Sequence, residues 1–315
     1  MKSFLRRFFQ TSEIGYSLLS PFARIYYFFL HKRYLSPEKF TRKRFKKNLG
    51  YDLDLDNPKT LNEKINWLKL NYSNPIGSTL ADKYEVRKYI DEKIGNKYLI
   101  PLAFVTSNPK DIFPENLPDY PMIIKTNHDS SGGIVVKDKN ATINWKEIQL
   151  RLRKNMSQNY YWDNREPVYK DIKPLIIVEK LLDDGTGGFP SDYKLHCFNG
   201  NVEMISVDVG RGSKEHFRNW YNKEWEKQPY QWSKMLKNSS DVNSRDIEKP
   251  KCLDEMISLS EELSKDFKYL RVDWYLIDNK LYFGELTLYH IGGTGPFRPD
   301  SWDAKLGEKL NILDQ

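Results

Sequence analysis

The spacing of apolar and polar residues predicts helices in the first third of the chain. Thr60 and Glu63 have capping-box spacing, so a helix is predicted to begin there. A second helix is predicted over LADKYEVRKYIDEKI, with Gly95 as its C-terminal stop. The Pro- and Asn-rich stretch 101–121 that follows is predicted to be a linker.

Beyond residue 121 the apolar period becomes that of strands. PMIIKTN and GGIVVKD flank a small polar loop, and PLIIVEKLL follows a helix predicted over 144–159. DYKLHCFNGNVEMISVDV predicts a hairpin, because Asn199-Gly200 supplies the two positive-φ residues of a type I′ turn.

The remaining segments complete an α+β pattern. FRNWYNKEW predicts a further strand or short hairpin, and residues 254–268 predict a helix. RVDWYLIDNKLYFGELTLYH then predicts a last pair of strands. Helices followed by hairpins indicate an α+β fold with largely antiparallel sheets.

Charge is concentrated at the N-terminus. Residues 1–50 hold 12 Lys and Arg against two acids, whereas the other 265 residues hold 38 against 41. This basic, aromatic segment is interpreted either as lying on an anionic membrane surface or as a helical layer packed on the body. No recognition helix or RNP-like motif accompanies the charge, so nucleic-acid binding is not expected. Two cysteines without ligand-like spacing favour a cytoplasmic protein, peripheral on the inner membrane face if the first interpretation holds.

The last pair of strands carries one carboxylate each, Asp273 and Glu285. A three-residue turn at 278–280 would set Asp273 opposite Glu285 and Arg271 opposite Thr287. Two facing acids are unfavourable unless a cation lies between them, and Mg²⁺ is the candidate. A two-residue turn would put them on opposite faces of the sheet. The structural alternatives are a solvent-facing acid or an ordinary ion pair between Arg271 and Asp273.

Three further segments suggest nucleotide contacts, each with a structural alternative. Lys125 and the Ser/Gly loop in IIKTNHDSSGG could hold phosphates or form a mobile hairpin loop. Glu179-Lys180 ends a strand that could present its backbone to an adenine edge or be a charged edge strand. Asp192 and Lys194 could be a solvated ion pair or another phosphate contact.

The order of these segments resembles that of the ATP-grasp superfamily. Their residues are more closely similar to those of its TupA-like branch, which is found among polysaccharide-assembly proteins. The resemblance covers roughly residues 58–295. It rests on TLNEKINWLKL, ADKYEVRKYI, YLIPL, IIKTNHDSSGG, IIVEKLL, DYKLHCFNG and RVDWYLIDNKLYFGELTLYHIGG. It implies two α+β lobes gripping ATP, with residues 121–182 as the small lobe and 183–315 as the large lobe. Residues 1–57 and 58–120 would form the preceding helical regions.

The resemblance also implies roles for individual residues. Lys125 and Arg271 would be catalytic, and Asp273, Glu285 and Thr287 would hold Mg²⁺, with Thr287 where the superfamily usually has Asn. The implied ATP contacts are Lys83, Lys125, Ser131, Gly132, Gly133, Glu179, Lys180, Leu182 and Lys194. The candidates for the substrate are His128, Arg211, His290, Gly293 and Arg298, although the two histidines could equally be structural.

The implied activity is ATP-dependent amide formation through an acyl phosphate. The expected partners are a uronic-acid-containing saccharide of a bacterial surface polysaccharide and an amino acid or small amine. The alternatives are a glycosyltransferase of the same pathway and a membrane-associated scaffold that keeps the fold without turnover.

Overall fold

The computed structural model describes residues 12–130, 132–183, 185, 188–211, 213–233 and 245–313, without the side chains of Glu13 and Arg24. Within these ranges the helices are α1 (Glu13–Leu30), α2 (Pro37–Leu49), α3 (Leu61–Asn71), α4 (Gly77–Ala81), α5 (Val86–Ile94), α6 (Trp145–Met156), α7 (Tyr161–Asn164), α8 (Leu253–Ser264) and α9 (Ser301–Lys309). The strands are β1 (Leu102–Thr106), β2 (Met122–Thr126), β3 (Ile134–Val136), β4 (Ile176–Lys180), β5 (Asp192–Phe198), β6 (Asn201–Val209), β7 (Phe217–Tyr221), β8 (Gln231–Trp232), β9 (Tyr269–Ile277), β10 (Lys280–Thr287) and β11 (Phe297–Arg298).

The chain divides into two compact units. Unit 1 comprises Met1–Phe40, Asp82–Glu85 and Ile100–Leu181, and unit 2 comprises Thr41–Ala81, Val86–Leu99 and Leu182–Gln315. Both units combine antiparallel sheets with helices, which confirms the predicted α+β class.

Unit 1 is built on a four-stranded antiparallel sheet in the order β1-β4-β2-β3. Its core includes Ile124, Val178 and Leu152, the last contributed by α6. The prediction of a linker over 101–121 was wrong. That stretch contains β1 and two short 3₁₀ helices, because the apolar run LAFVT pairs with β4 in spite of its Pro- and Asn-rich surroundings.

Unit 2 is built on a five-stranded antiparallel sheet in the order β10-β9-β5-β6-β7. The predicted Asn199-Gly200 turn joins β5 to β6, with φ of 49° and 84°. The helix α8 contacts β5, β6 and β9 on one face of this sheet. Strands β8 and β11 form a separate two-stranded sheet.

The last hairpin reaches the predicted pairing by a different route. Lys280 faces Ile277, so the turn has two residues, Asp278 and Asn279, and the prediction of a three-residue turn was wrong. A bulge between Phe283 and Leu286 then shifts the register by one residue, and Thr287 lies opposite Arg271 as predicted. The acids therefore end on one face of the sheet despite the shorter turn.

The predicted helix over residues 80–94 is interrupted. It forms α4 and α5, separated by Asp82–Glu85, which belong to unit 1. The Asp82 carboxylate accepts hydrogen bonds from the N–H groups of Tyr84 and Glu85, and such a local bond competes with helix formation. Gly95 ends α5 as predicted, with φ of 93° and its N–H on the Asp91 carbonyl.

The helix α1 reverses the usual polarity of a surface helix. Its exposed side carries an apolar stripe at a spacing of three or four residues, each member at least 59% exposed: Ile14, Leu18, Phe22, Ile25 and Phe29. Its inner side is partly polar and includes Tyr16, Ser20, Tyr27 and, just after the helix, His31. None of the helices in the described ranges is long and apolar enough to cross a membrane.

In unit 2 the helices α3 and α9 are joined at the predicted capping box. The Thr60 hydroxyl accepts from the Glu63 N–H and the Glu63 carboxylate accepts from the Thr60 N–H. Asp303 of α9 accepts from the backbone and side-chain N–H groups of Asn62 at 2.9 and 2.7 Å. Gly307 lies so close to this N-terminus that an added Cβ would come within 2.1 Å of the Lys59 carbonyl oxygen.

We expect Gly307→Ala to destabilise the protein by at least about 2 kcal/mol, because the methyl group meets backbone atoms that cannot rotate away. Chemical denaturation measures the loss. Glu308→Ala, an exposed change in the same helix, serves as the control and should stay within about 0.5 kcal/mol of the wild type. Equal stability of the two variants would contradict this packing.

Candidate active site

In unit 1, two predicted residues are brought together on one face of the sheet. Lys125 lies on β2 and Glu179 on the neighbouring β4, at diagonal positions of the ladder. The Lys125 ammonium lies 2.6 Å from Glu179 Oε2, and the Glu179 side chain is 5% exposed. The lysine is therefore fixed by a buried carboxylate at the strand that leads into the Ser/Gly loop.

The loop between β2 and β3 is anchored by a segment that precedes it by more than 40 residues. The N–H of Lys83 donates to the Asn127 carbonyl at 3.0 Å, and the Lys83 ammonium donates to the Asp129 carbonyl. The structure thus brings Lys83 to the loop that the sequence analysis selected for phosphates. Gly132 has φ of 77°, and a Cβ on Gly133 would meet the Ile123 side chain at 2.3 Å. Ser131 lies outside the described residues.

At the strand end that was predicted to contact adenine, two backbone N–H groups already donate to carbonyl groups of the protein. The N–H of Lys180 donates to the Pro101 carbonyl, and the N–H of Leu181 donates to the Pro121 carbonyl. The Glu179 carboxylate pairs with Lys125. Leu182 follows directly and is the first residue of this part of unit 2.

His128 is held inside unit 1. Its Nδ1 lies 3.3 Å from the Asn127 side-chain oxygen and its Nε2 lies 3.1 Å from the Gln158 carbonyl. Burial lowers the pKa of His128, in spite of the nearby Asp129. Both partners are acceptors, so the neutral imidazole can donate to only one of them. A buried imidazole with a lowered pKa fits the alternative of a structural histidine better than an anion-binding one.

In unit 2, one face of the five-stranded sheet is lined with charged side chains. The ladder places Lys194 between Asp273 on β9 and Ser206 on β6, and Asp192 opposite Asp208. These groups lie on alternate residues of neighbouring strands, so they share the face opposite α8. The residues on the other face of the sheet, such as Leu195 and Val272, are buried in the core.

Arg271 is the centre of this face. Its Nε and one terminal nitrogen donate to the two oxygens of Asp273 at 2.6 and 2.7 Å, and the same terminal nitrogen donates to Glu285 at 2.6 Å. Its other terminal nitrogen lies 2.8 Å from His290 Nδ1. The ion pair between Arg271 and Asp273 that was kept as an alternative is therefore present, and it also includes the second acid.

Burial sets the protonation of these groups. It raises the pKa of Asp273 to about 6, a rise that Arg271 and Lys194 oppose. Burial, His196 and Arg271 together hold the pKa of His290 well below its usual range. His290 is thus neutral and accepts a hydrogen bond from Arg271, so the structure favours a supporting role over charge-based binding of an anionic substrate.

Lys194 lies among three carboxylates rather than in a solvated pair. Its ammonium contacts Asp192 and lies 3.5 Å from Asp208 and 3.4 Å from Asp273. Arg211, 55% exposed, donates to Asp192 at 2.9 Å and joins the same network.

Two further residues of this network, Arg218 and His216, were not predicted from the sequence. Arg218 donates two hydrogen bonds to Asp208, and His216 lies 2.9 Å from the same carboxylate. Burial alone would raise the pKa of Asp208, but these bonds and Lys194 lower it far below its usual range. The alternation of polar residues in DYKLH and SVD was the available signal.

The arrangement fits a magnesium ion. Two carboxylates converge on one cation, and each retains acceptor positions that the guanidinium does not use. Asp192 Oδ1 is a buried acceptor without a donor among the described residues. Those residues contain no group of three or more His, Cys, Asp and Glu suited to a metal, but Mg²⁺ takes only one or two carboxylates besides water and phosphate oxygens.

Two predicted substrate residues lie away from this network. Gly293, with φ of 67°, is packed against α3, where its carbonyl accepts from the Asn66 side chain. A Cβ there would come within 2.5 Å of that side chain, so the glycine is explained by packing. Arg298 is exposed on β11, in the two-stranded sheet.

We expect Arg271→Gln to cost about 3 kcal/mol of unfolding free energy, because the buried Asp273 carboxylate loses the guanidinium that donates two hydrogen bonds to it. Arg211→Gln is the matched control, since that arginine is half exposed, and should cost less than about 1 kcal/mol. Urea unfolding of both variants measures the difference. Similar losses would mean that Arg271 is not the main neutralising group.

The solved structures to which the chain is similar include several ligases. A D-alanine–D-alanine ligase from Bacillus anthracis is 18% identical, with a TM-score of 0.41 over 69% of this chain and 59% of that one. An L-amino acid ligase from Bacillus licheniformis is 17% identical, with a TM-score of 0.44 over 81% and 56%. The ATP-grasp ligase PsnB, complexed with minimal precursor, Mg and ADP, is 11% identical, with a TM-score of 0.38 over 72% and 57%. The chain thus spans less than two thirds of each of these proteins.

The sequence itself gives the closer assignment. A search of curated proteins gave no match. The model of the TupA-like ATP-grasp family matches residues 63–311, from the capping-box Glu63 to just beyond α9. That span covers most of the sequence and includes the four residues Lys125, Arg271, Asp273 and Glu285. The chain belongs to the TupA-like ATP-grasp family.

Proposed function

We propose that this protein is an ATP-dependent carboxylate–amine ligase that joins an amino acid or small amine to a uronic acid of a bacterial surface polysaccharide. The observation that carries the proposal is the buried Arg271, which bridges Asp273 and Glu285 in a chain of this family. A guanidinium held by two carboxylates is a fixed cation, and such a cation suits a reaction that transfers the negatively charged phosphoryl group of ATP.

The proposed reaction has two steps. A carboxylate oxygen of the substrate attacks the γ-phosphorus of ATP, the bond to the β,γ-bridging oxygen breaks, and ADP leaves. The amine nitrogen then attacks the carbonyl carbon of the acyl phosphate, phosphate leaves, and the nitrogen loses a proton. Such catalysis is mainly a matter of positioning and charge stabilisation.

Residues of both units have roles in this proposal. Lys125, Lys83 and the loop through Ser131, Gly132 and Gly133 would contact the phosphates, and Arg271 would stabilise charge on the transferring group. The Mg²⁺ that neutralises phosphate charge would be held by Asp273 and Glu285, with the Thr287 hydroxyl as a further oxygen ligand.

Further contacts are proposed for the adenine, the phosphates and the substrate. Glu179, Lys180 and Leu182 are proposed for the adenine, although the Lys180 N–H already has a protein acceptor. Lys194 is proposed as a further phosphate contact. Arg211, which is half exposed beside Asp192, is proposed for an anionic substrate.

We expect ATP consumption to require both a uronate and an amine, and to fall at least about 100-fold in Asp273→Asn, because metal binding and charge stabilisation are lost together. Phosphate release, measured over panels of uronates and amines with Mg²⁺, tests this. Asp278→Asn, in the turn of the same hairpin, is the matched control and should keep activity.

Calorimetry with MgATP provides the second measurement. Asp273→Asn and Glu285→Gln should weaken MgATP binding at least tenfold, whereas Asp278→Asn should not. Unchanged MgATP binding in the first two variants would refute the metal assignment. Turnover of a nucleotide sugar without ATP consumption would identify a glycosyltransferase, and MgATP binding without turnover for any pair would favour a scaffold.

We also propose that α1 lies on an anionic membrane surface. Its exposed apolar stripe and the 12 basic residues among the first 50 support this proposal. Apolar side chains at the headgroup boundary and lysines near anionic lipids each contribute to such binding.

We expect Phe22→Ser/Phe29→Ser to weaken binding to vesicles of phosphatidylglycerol and phosphatidylcholine at least about tenfold, because two exposed aromatic side chains are lost. Co-sedimentation measures the effect, and binding should also weaken as salt is raised. Phe189→Ser, an exposed phenylalanine of unit 2, is the control. Equal binding of wild type and double variant would contradict the proposal.

A further inference from the structure

Unit 1 contains a cavity of about 500 Å³ under the inner side of α1. Its other walls come from the end of α6, the start of α7 and the loop after β2, represented by Ser157, Tyr160 and Ser130. We infer that this cavity binds the acidic sugar ring of the acceptor, an inference that rests on the proposed function. The volume lies within the range of small-molecule sites, roughly 300 to 1,000 Å³.

Three tyrosines give the cavity walls suited to a sugar ring. Tyr27 stacks on His31 with 5.7 Å between ring centroids, and Tyr160 packs edge-on against Tyr169 at 4.9 Å. Tyr16 is held by the Arg153 guanidinium, 4.3 Å above its ring. Fixed aromatic faces can pack against the C–H groups of a pyranose.

The charged lining suits a ligand with both a carboxylate and hydroxyl groups. Arg33 and Lys154 line the cavity. A guanidinium that lines a cavity can pair with a ligand carboxylate through charge-assisted hydrogen bonds. Asp163 lies on the same cavity, 3.0 Å from His31, and carboxylates of this kind accept hydrogen bonds from sugar hydroxyls.

The position of the cavity connects it with the proposed chemistry. Asp129 and Ser130 line it and directly precede the Ser/Gly loop at 131–133. Lys83 also reaches this point through the Asp129 carbonyl. A uronate bound here would therefore adjoin the loop that we assign to the ATP phosphates.

Adjacent residues of α1 provide matched variants. Tyr27 lines the cavity, whereas Tyr26 is 61% exposed and does not line it. Tyr27→Ala therefore removes part of the cavity wall, and Tyr26→Ala removes the same side chain from the neighbouring exposed position. Arg33→Gln and Lys32→Gln form a second pair, because Arg33 lines the cavity and Lys32 is exposed. Saturation-transfer NMR and calorimetry on the full chain, without vesicles, would measure binding of methyl uronosides of the gluco, galacto and manno series and of the matching neutral methyl hexosides.

At least one uronoside should bind, and Tyr27→Ala should weaken its binding at least tenfold while Tyr26→Ala leaves it unchanged. Arg33→Gln should remove the preference for the uronoside over its neutral counterpart, and Lys32→Gln should retain it. MgATP affinity should be unchanged in all four variants, which also shows that they fold. Uronoside binding that is equal in Tyr27→Ala and wild type, or no binding by any member of the panel, would overturn the inference.

The ligase proposal can fail separately. Uronoside binding that is lost in Tyr27→Ala, in a protein that consumes no ATP with any amine, would support the cavity and refute the ligase. ATP consumption that needs a uronate but is unaffected by Tyr27→Ala and Arg33→Gln would support the ligase and refute the cavity.

Discussion

Burial of the Arg271 guanidinium is the constraint on which the charged face of unit 2 depends. A buried cation is stable only when anions and acceptors surround it, and here two carboxylates and a neutral imidazole do so. Asp273 lies two residues after Arg271 on β9, so both side chains point to the same face of the sheet. The bulge in β10 brings Glu285 to that face, and burial keeps His290 uncharged. Each of these features would be unfavourable without the others.

Local signals in the sequence predicted local structure well. The capping box at Thr60, the stop at Gly95 and the Asn199-Gly200 turn are all present, because each is determined by a few neighbouring residues. The final turn shows the limit of this reasoning. The pairing of Arg271 with Thr287 was predicted correctly from a wrong turn length, since an extra residue in the bulge has the same effect on register as an extra residue in the turn.

Features that depend on distant partners were not predictable. The run LAFVT becomes a strand only because β4 pairs with it, and Asp208 becomes a site residue only because β6 brings it beside Lys194 and β7 brings Arg218. His128 and His290 were predicted to bind an anionic substrate, but burial lowers the pKa of both imidazoles, and that burial depends on distant parts of the chain. The residue types of the candidate site were therefore readable from the sequence, whereas their charge states and mutual contacts were not.

Each of the two units is made of several separate stretches of the chain, and this limits how the protein can be divided into fragments or recombined with other proteins. The chain passes from one unit to the other after Phe40, Ala81, Glu85, Leu99 and Leu181. The four residues Asp82–Glu85 are a fragment of unit 1 between two helices of unit 2, yet they anchor the loop after β2. Neither unit can be excised as a single stretch of polypeptide, so a gene fusion, domain exchange or two-fragment complementation that cuts at one point would separate residues that have to fold together.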